Sequence, residues 1–181
     1  MRTFSKLIGC ALFLAVPAFA YADGPLFAVE GLTSTVMQEG QSSFSGLAIR
    51  TRLHDVRLIE GWEVVPSVEY WRNSSTVEPF GIQTSRRDLT LAADVRYNLR
   101  LEGWTPYLGV GIAAHSLSNK VNAPALGLID AENTLMKGGL SALVGASFPM
   151  GVRFENFVEL KYHHVTDYRQ LKLNWGLAWK L

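Results

Sequence analysis

Cysteine is all but missing: the single one among 181 residues is Cys10, close to the start. Beyond it the chain can close no internal disulfide and offers no thiolate to a metal, which excludes a disulfide scaffold and a cysteine-based zinc site. An excess of one charge is missing too. Seventeen Lys and Arg stand against 16 Asp and Glu, neither the footprint of a nucleic-acid binder nor that of a polybasic membrane anchor. Beyond residue 22 there is also no uncharged apolar run of the roughly 20 residues that a transmembrane helix needs.

What is present begins with a secretory signal at residues 1–22. Arg2 and Lys6 form a positive start, Leu7 to Val16 is an apolar stretch, and Pro17 ends it. Small-x-small sites follow, placing cleavage after Ala20 or, by preference, after Ala22. Leu7-Ile8-Gly9-Cys10 superficially matches a lipoprotein box, but the apolar stretch runs on past Cys10. Removing 1–22 takes two bases and no acid, so 15 bases face 16 acids in residues 23–181. That length suits one domain.

Period-two alternation recurs through residues 23–181 in about eight stretches of strand length. The first spans Phe27 to Thr35 and the second lies near Ser43 to Leu53, with Leu47, Ile49 and Leu53 opposite Arg50 and Arg52. A third sets Trp62, Val64, Pro66, Val68 and Tyr70 against Glu63, Ser67 and Glu69. In the fourth, Leu89 to Leu99 alternate with Thr90, Asp94, Arg96 and Asn98; in the fifth, Pro106 to Ala114 alternate with Tyr107, Gly109, Gly111 and His115. The sixth runs from Gly139 to Phe148, the seventh opposes Val158, Leu160 and Tyr162 to Glu159, Lys161 and His163, and the last runs from Leu171 to Leu181. Pro66 and Pro106 each remove a ladder donor, so a bulge or strand end is expected at both.

The connections alternate as well. Longer ones contain Met37–Ser42, Asn73–Thr84, Ser116–Leu135 and Val165–Tyr168; tighter ones fall near Asp55–Gly61, Arg100–Gly103 and Pro149–Gly151. An even number of antiparallel strands with long loops outside and short turns in the periplasm is the layout of an outer-membrane barrel. A soluble lipocalin-like carrier would show the same period with its apolar face inward. The bulky apolar set and the small, charged opposite set favour the lipid-facing arrangement, because an eight-stranded barrel holds little beyond side chains. Phe27, Trp62, Tyr97, Trp104, Phe148, Phe154 and Trp179 are expected to form one aromatic girdle, with Tyr70 and Tyr162 in the other.

By Thr105-Pro106-Tyr107-Leu108-Gly109-Val110-Gly111-Ile112 and the alternating final strand, the chain resembles the small outer-membrane β-barrel superfamily that includes the OmpA- and OmpX-like proteins. The resemblance implies an all-β, eight-stranded antiparallel up-and-down transmembrane barrel at residues 23–181, located in the cell outer membrane. It also implies that the last strand is read by the outer-membrane assembly machinery, although Leu181 ends it where an aromatic is usual. No peptidoglycan-binding domain follows in this sequence, so a cell-wall anchoring role is not carried over.

Three groups of residues could carry chemistry. Glu30, Glu63, Glu69, Asp94 and Glu159 are expected to face Arg50, Arg52, Arg96, Lys161 and Lys172 inside the barrel, as a salt-bridged plug or a narrow, porin-like pore. His163 and His164 point to opposite faces, and His115 shares the inward face with His163, yet two histidines alone do not make a metal site. The string around His164 and Thr166 is similar to the His-x-Ser segment of outer-membrane lipid A deacylases, which would make His164 a base and Thr166 a nucleophile, with Thr in place of Ser. Finally, Asn119, Lys120, Asn122, Asp130, Glu132 and Asn133 surround the apolar Ala123–Ile129 in an expected loop open to a ligand, and Asn73-Ser74-Ser75 forms a sequon read as loop chemistry. The expectation is a non-enzymatic outer-membrane protein with a structural or surface-interaction role, no catalytic residue, no metal and no cofactor. Its partners are lipid, lipopolysaccharide and an extracellular ligand on the loops, with no nucleic acid.

Overall fold

The structure, a computed structural model, describes residues 26–38, 42–53, 60–77, 82–123 and 128–181. The signal segment 1–22 lies outside them, as do parts of the connections at 37–42, 55–61 and 73–84 and most of the apolar stretch 123–129. Among the described residues eight strands follow one another: β1 (Leu26–Gln38), β2 (Phe44–Leu53), β3 (Trp62–Val77), β4 (Ile82–Asn98), β5 (Thr105–Ala123), β6 (Leu128–Met150), β7 (Phe154–Val165) and β8 (Tyr168–Lys180). Each pairs antiparallel with its neighbour, and β1 pairs with β8, so the sheet is a closed barrel. Closure leaves no unpaired edge in lipid, where a free backbone amide would cost several kcal/mol.

The alternation settles which face looks in. Leu47, Ile49, Leu108, Val110, Ile112, Leu140, Val144, Trp175 and Leu177 are exposed on the outside, whereas Glu30, Arg50, Arg96, Asp94, Glu159, Lys161 and Lys172 are buried inside. Water would penalise such an outer surface; hydrocarbon does not, and the barrel is therefore membrane-spanning. Near the end that carries the described C-terminus, Trp62 packs on Tyr97 with ring centroids 5.3 Å apart, and Trp104 stacks on Phe148 at 6.3 Å. Phe154 pairs with Trp179 there, completing most of the expected girdle. Phe27 departs from it. A register shift between Leu26 and Ala28 turns Phe27 to the barrel mouth, with the Lys180 ammonium 5.9 Å from its ring centre.

Two expectations are corrected. Asn73–Thr84 and Ser116–Leu135, expected as loops, are largely strand: β3 and β4 stay paired to Val77↔Ile82, and β5 and β6 to Ala123↔Leu128. Pro66 sits within β3 rather than at a bulge. The β2–β3 register is the same on either side of it, but pairing skips from Arg50↔Ser67 to Leu53↔Val64, as expected where a donor is missing. Pro106 is the second residue of β5. The turn between β6 and β7 is tight, and Gly151 takes φ 81° there, a conformation that disfavours a side chain.

Candidate functional site

The inward residues of the eight strands fill the barrel in layers. Nearest the termini, Arg50 on β2 crosses to Glu159 on β7 through two hydrogen bonds of 3.0 and 2.8 Å. Arg96 on β4 lies 3.1 Å from Glu159 and 3.3 Å from Glu30, and its guanidinium rests 4.7 Å above the Tyr107 ring. Arg52 joins Glu30 to Glu155, while Asn174 and Tyr107 donate to Glu159 at 2.8 and 3.3 Å. Phe157, Leu32 and Ala48 form an apolar wedge beside this network. Glu63 is buried at the same mouth.

In the middle layer, Lys161 donates to Asp94 at 2.7 Å and to Glu69 at 3.4 Å, and Lys172 reaches Glu69. Ser141 adds a 2.8 Å bond to Asp94. All ten charged residues expected inside are there. Buried charges persist only when paired and hydrogen-bonded, and these pairs bridge strands on opposite walls. They form a plug.

Toward the far end a third layer was only half visible in the sequence. His115 and His163 do meet, edge to face, with ring centroids 5.6 Å apart. The sequence reading missed Asp88, whose Oδ2 lies 2.8 Å from His115 Nδ1, and Thr90, whose hydroxyl lies 2.9 Å from the same nitrogen. Asp88 immediately precedes the strand as it was drawn from the sequence; its parity with Thr90 was the available signal. Over this layer sits an apolar cap of Val36, Phe44, Trp71 and Leu117, joined by Tyr168. Phe44 and Trp71 pack with ring centroids 4.5 Å apart. Among the described residues no three His, Cys, Asp or Glu side chains are grouped to hold a metal ion.

Among the described residues no hydrogen bond joins His164 to Thr166. His164 points outward at the end of β7, opposite Arg169, and Thr166 lies in the β7–β8 turn with its hydroxyl donated to the Gly138 carbonyl at 3.4 Å. No carboxylate among the described residues orients the imidazole of His164.

Beyond the cap, β3 to β6 continue as a four-stranded sheet while β1, β2, β7 and β8 end. Arg72, Ser85, Arg87, Ser118 and Glu132 lie on its outer face, where Glu132 accepts from Ser118 at 2.6 Å and from Arg87. The Ser118 hydroxyl and then the Arg87 guanidinium hold the Glu132 carboxyl below its ordinary range. On the inner side a groove of about 460 Å³ is lined by Ser42, Asn73, Ser75, Thr84, Arg86 and Asn119, with Lys120 at its edge. Ser75 and Thr84, paired on β3 and β4, share a 2.7 Å hydrogen bond in its wall, and the sequon lies on β3.

No family model and no curated protein sequence matches the chain. Solved structures do. Neisserial surface protein A is similar over 86% of this chain and 97% of its own, with a TM-score of 0.67 at 16% identity. Ail, the attachment invasion locus protein of Yersinia pestis, solved with the heparin analogue sucrose octasulfate, covers 86% and 97% with a TM-score of 0.59 at 14% identity. The N-terminal barrel domain of Pseudomonas aeruginosa OprF covers 85% and 97% with a TM-score of 0.58 at 13% identity. At these identities the likeness is one of fold. With its charges inside and its apolar residues outside, the chain is an eight-stranded transmembrane barrel of the kind formed by the small outer-membrane proteins.

Proposed function

We propose that this protein is a non-enzymatic surface-interaction protein of the outer membrane, exported by residues 1–22, in which a plugged barrel holds a four-stranded sheet outside the cell. The observation that carries this reading is the continuation of β3–β6 past the cap, with the ladder unbroken from Trp71↔Asp88 to Val77↔Ile82. Away from hydrocarbon, paired strands are not required, and a sheet kept rigid there presents side chains at fixed spacing. Four of its cations, Arg72, Arg86, Arg87 and Lys120, stand among hydroxyl and amide side chains. That mixture suits an anionic saccharide, a class that includes lipopolysaccharide cores and sulfated host glycans. Ail, of the same fold, was solved with a sulfated sugar, which supports the same ligand class here.

The test uses the purified barrel in lipid vesicles and immobilised heparin. Binding that weakens as salt screens the charges, and that falls in an Arg86→Gln/Lys120→Gln variant, is the expected result. Failure to bind heparin or lipopolysaccharide at low salt would remove the proposed ligand class.

A further inference from the structure

The layer beneath the cap contains a carboxylate with no Lys or Arg paired to it among the described residues. Glu30, Glu69, Asp94, Glu155 and Glu159 each have a Lys or Arg nitrogen within 4 Å. Asp88 is 0% exposed and its ion-pair partner is His115. Thr90 donates its hydroxyl to Asp88 Oδ2 at 3.1 Å, and His115 Nδ1 sits 2.8 Å from the same oxygen. An ionised carboxylate only accepts, so Nδ1 carries the proton, and in the neutral imidazole Nε2 keeps its lone pair on the side away from Asp88. This is how a carboxylate prepares a histidine to bind a metal.

Gly139 leaves room for the imidazole of His115. A Cβ on Gly139 would stand 3.2 Å from His115 Nε2, so the imidazole of β5 extends over the bare β6 backbone toward β7. There stands His163, 0% exposed, with neither ring nitrogen hydrogen-bonded among the described residues. Gln170, the cross-strand partner of His163, gives its amide to Gln38 at 3.0 Å and leaves its Oε1 without a partner. His115 Nε2 is unpartnered as well. Buried polar atoms are ordinarily satisfied, yet among the described residues three potential electron-pair donors from β5, β7 and β8 go unmet in one layer.

We propose that His115, His163 and Gln170 bind a first-row divalent transition ion, Zn²⁺ or Cu²⁺, with water completing its shell and Asp88 orienting His115. Metal–nitrogen bonds of about 2.0–2.1 Å place two imidazole centroids roughly 5–6 Å apart around one ion, and the observed separation is 5.6 Å. The negative charge of Asp88 favours a cation against the Lys161 and Lys172 ammoniums near His163, and the third ligand is a carboxamide, so no third His, Cys, Asp or Glu is needed. The ion would tie three strands together under the cap, a structural role independent of any ligand on the projecting sheet.

The experiment titrates the untagged, folded barrel in detergent with Zn²⁺ and Cu²⁺, after gel mobility has confirmed folding. One ion per chain is expected, with a Cu²⁺ electron paramagnetic resonance spectrum showing two imidazole nitrogens. Affinity should fall at least about tenfold in His163→Ala and in Asp88→Asn, the usual cost of losing an orienting partner, and stay unchanged in the outward-facing His164→Ala. Should the variants fail to fold, imidazole nitrogen NMR of the parent decides: Zn²⁺ must shift the His115 and His163 resonances. No stoichiometric binding, binding indifferent to His163 and Asp88, or unshifted imidazoles would overturn the site and leave water as its filling.

Discussion

Arg50 and Glu159 meet across the barrel interior through two hydrogen bonds, although 109 residues separate them in the chain. Neither side chain is exposed, and Arg96 and Asn174 hold Glu159 from other sides. Removing one partner of such a pair leaves the other charge buried and uncompensated, which costs about 3–5 kcal/mol. Glu159→Ala is therefore expected to lower stability by that amount, read from urea unfolding of the barrel in lipid vesicles. A loss below about 1 kcal/mol would mean that water solvates the lumen.

The outer surface tests the same geometry from the other side. Val144 and Leu160 face each other on β6 and β7 and are exposed. If hydrocarbon is their solvent, Val144→Arg costs about 2–4 kcal/mol near the bilayer midplane. In a soluble barrel the same change at an exposed site would cost little. Vesicle unfolding of the variant separates the two.

The barrel was legible in the sequence because hydrocarbon outside and a crowded lumen inside impose opposite polarity on alternate residues. From Leu89 to Tyr97 that rule fixes every side chain. It stops applying where the strands leave the membrane. At Arg86 and Arg87, or Ser118 and Asn119, water lies within reach of both faces, both are polar, and the period vanishes although the ladder continues. Loops were therefore expected where there are strands. Asp88 marks the boundary: it keeps the inward parity, but its neighbours Arg87 and Arg86 hide the pattern. The pairing of His115 with Asp88 needed the β4–β5 register, which turns alone did not supply.

Glu132 gives the projecting sheet a pH dependence. Hydrogen bonds from Ser118 and Arg87 hold its carboxyl below the ordinary value of 4.5. A depressed folded-state pKa contributes stability above the unfolded value, and this is lost as pH falls through the folded one. Amide protection in the outer parts of β4, β5 and β6 is thus expected to be steady above about pH 4.5 and to drop below it. The pair is exposed, so the effect should be small and should fade in high salt. Hydrogen exchange on the parent and on Glu132→Gln checks this; an unchanged acid response in the variant would assign the loss to other carboxylates.

Conductance is the remaining discriminator between plug and pore. An ion crossing the lumen would meet three barriers in series: the Val36, Phe44, Trp71 and Leu117 cap, the Lys161–Asp94 layer, and the Arg50–Glu159–Arg96 network. An apolar cap of this kind can act as a dry constriction, and the ionic layers can pass an ion only by breaking pairs that are costly to break. Planar bilayers containing the pure protein should accordingly show no stable unitary openings at neutral pH. Discrete, reproducible steps would mean that the paired side chains leave a continuous water path, and the narrow pore would replace the plug.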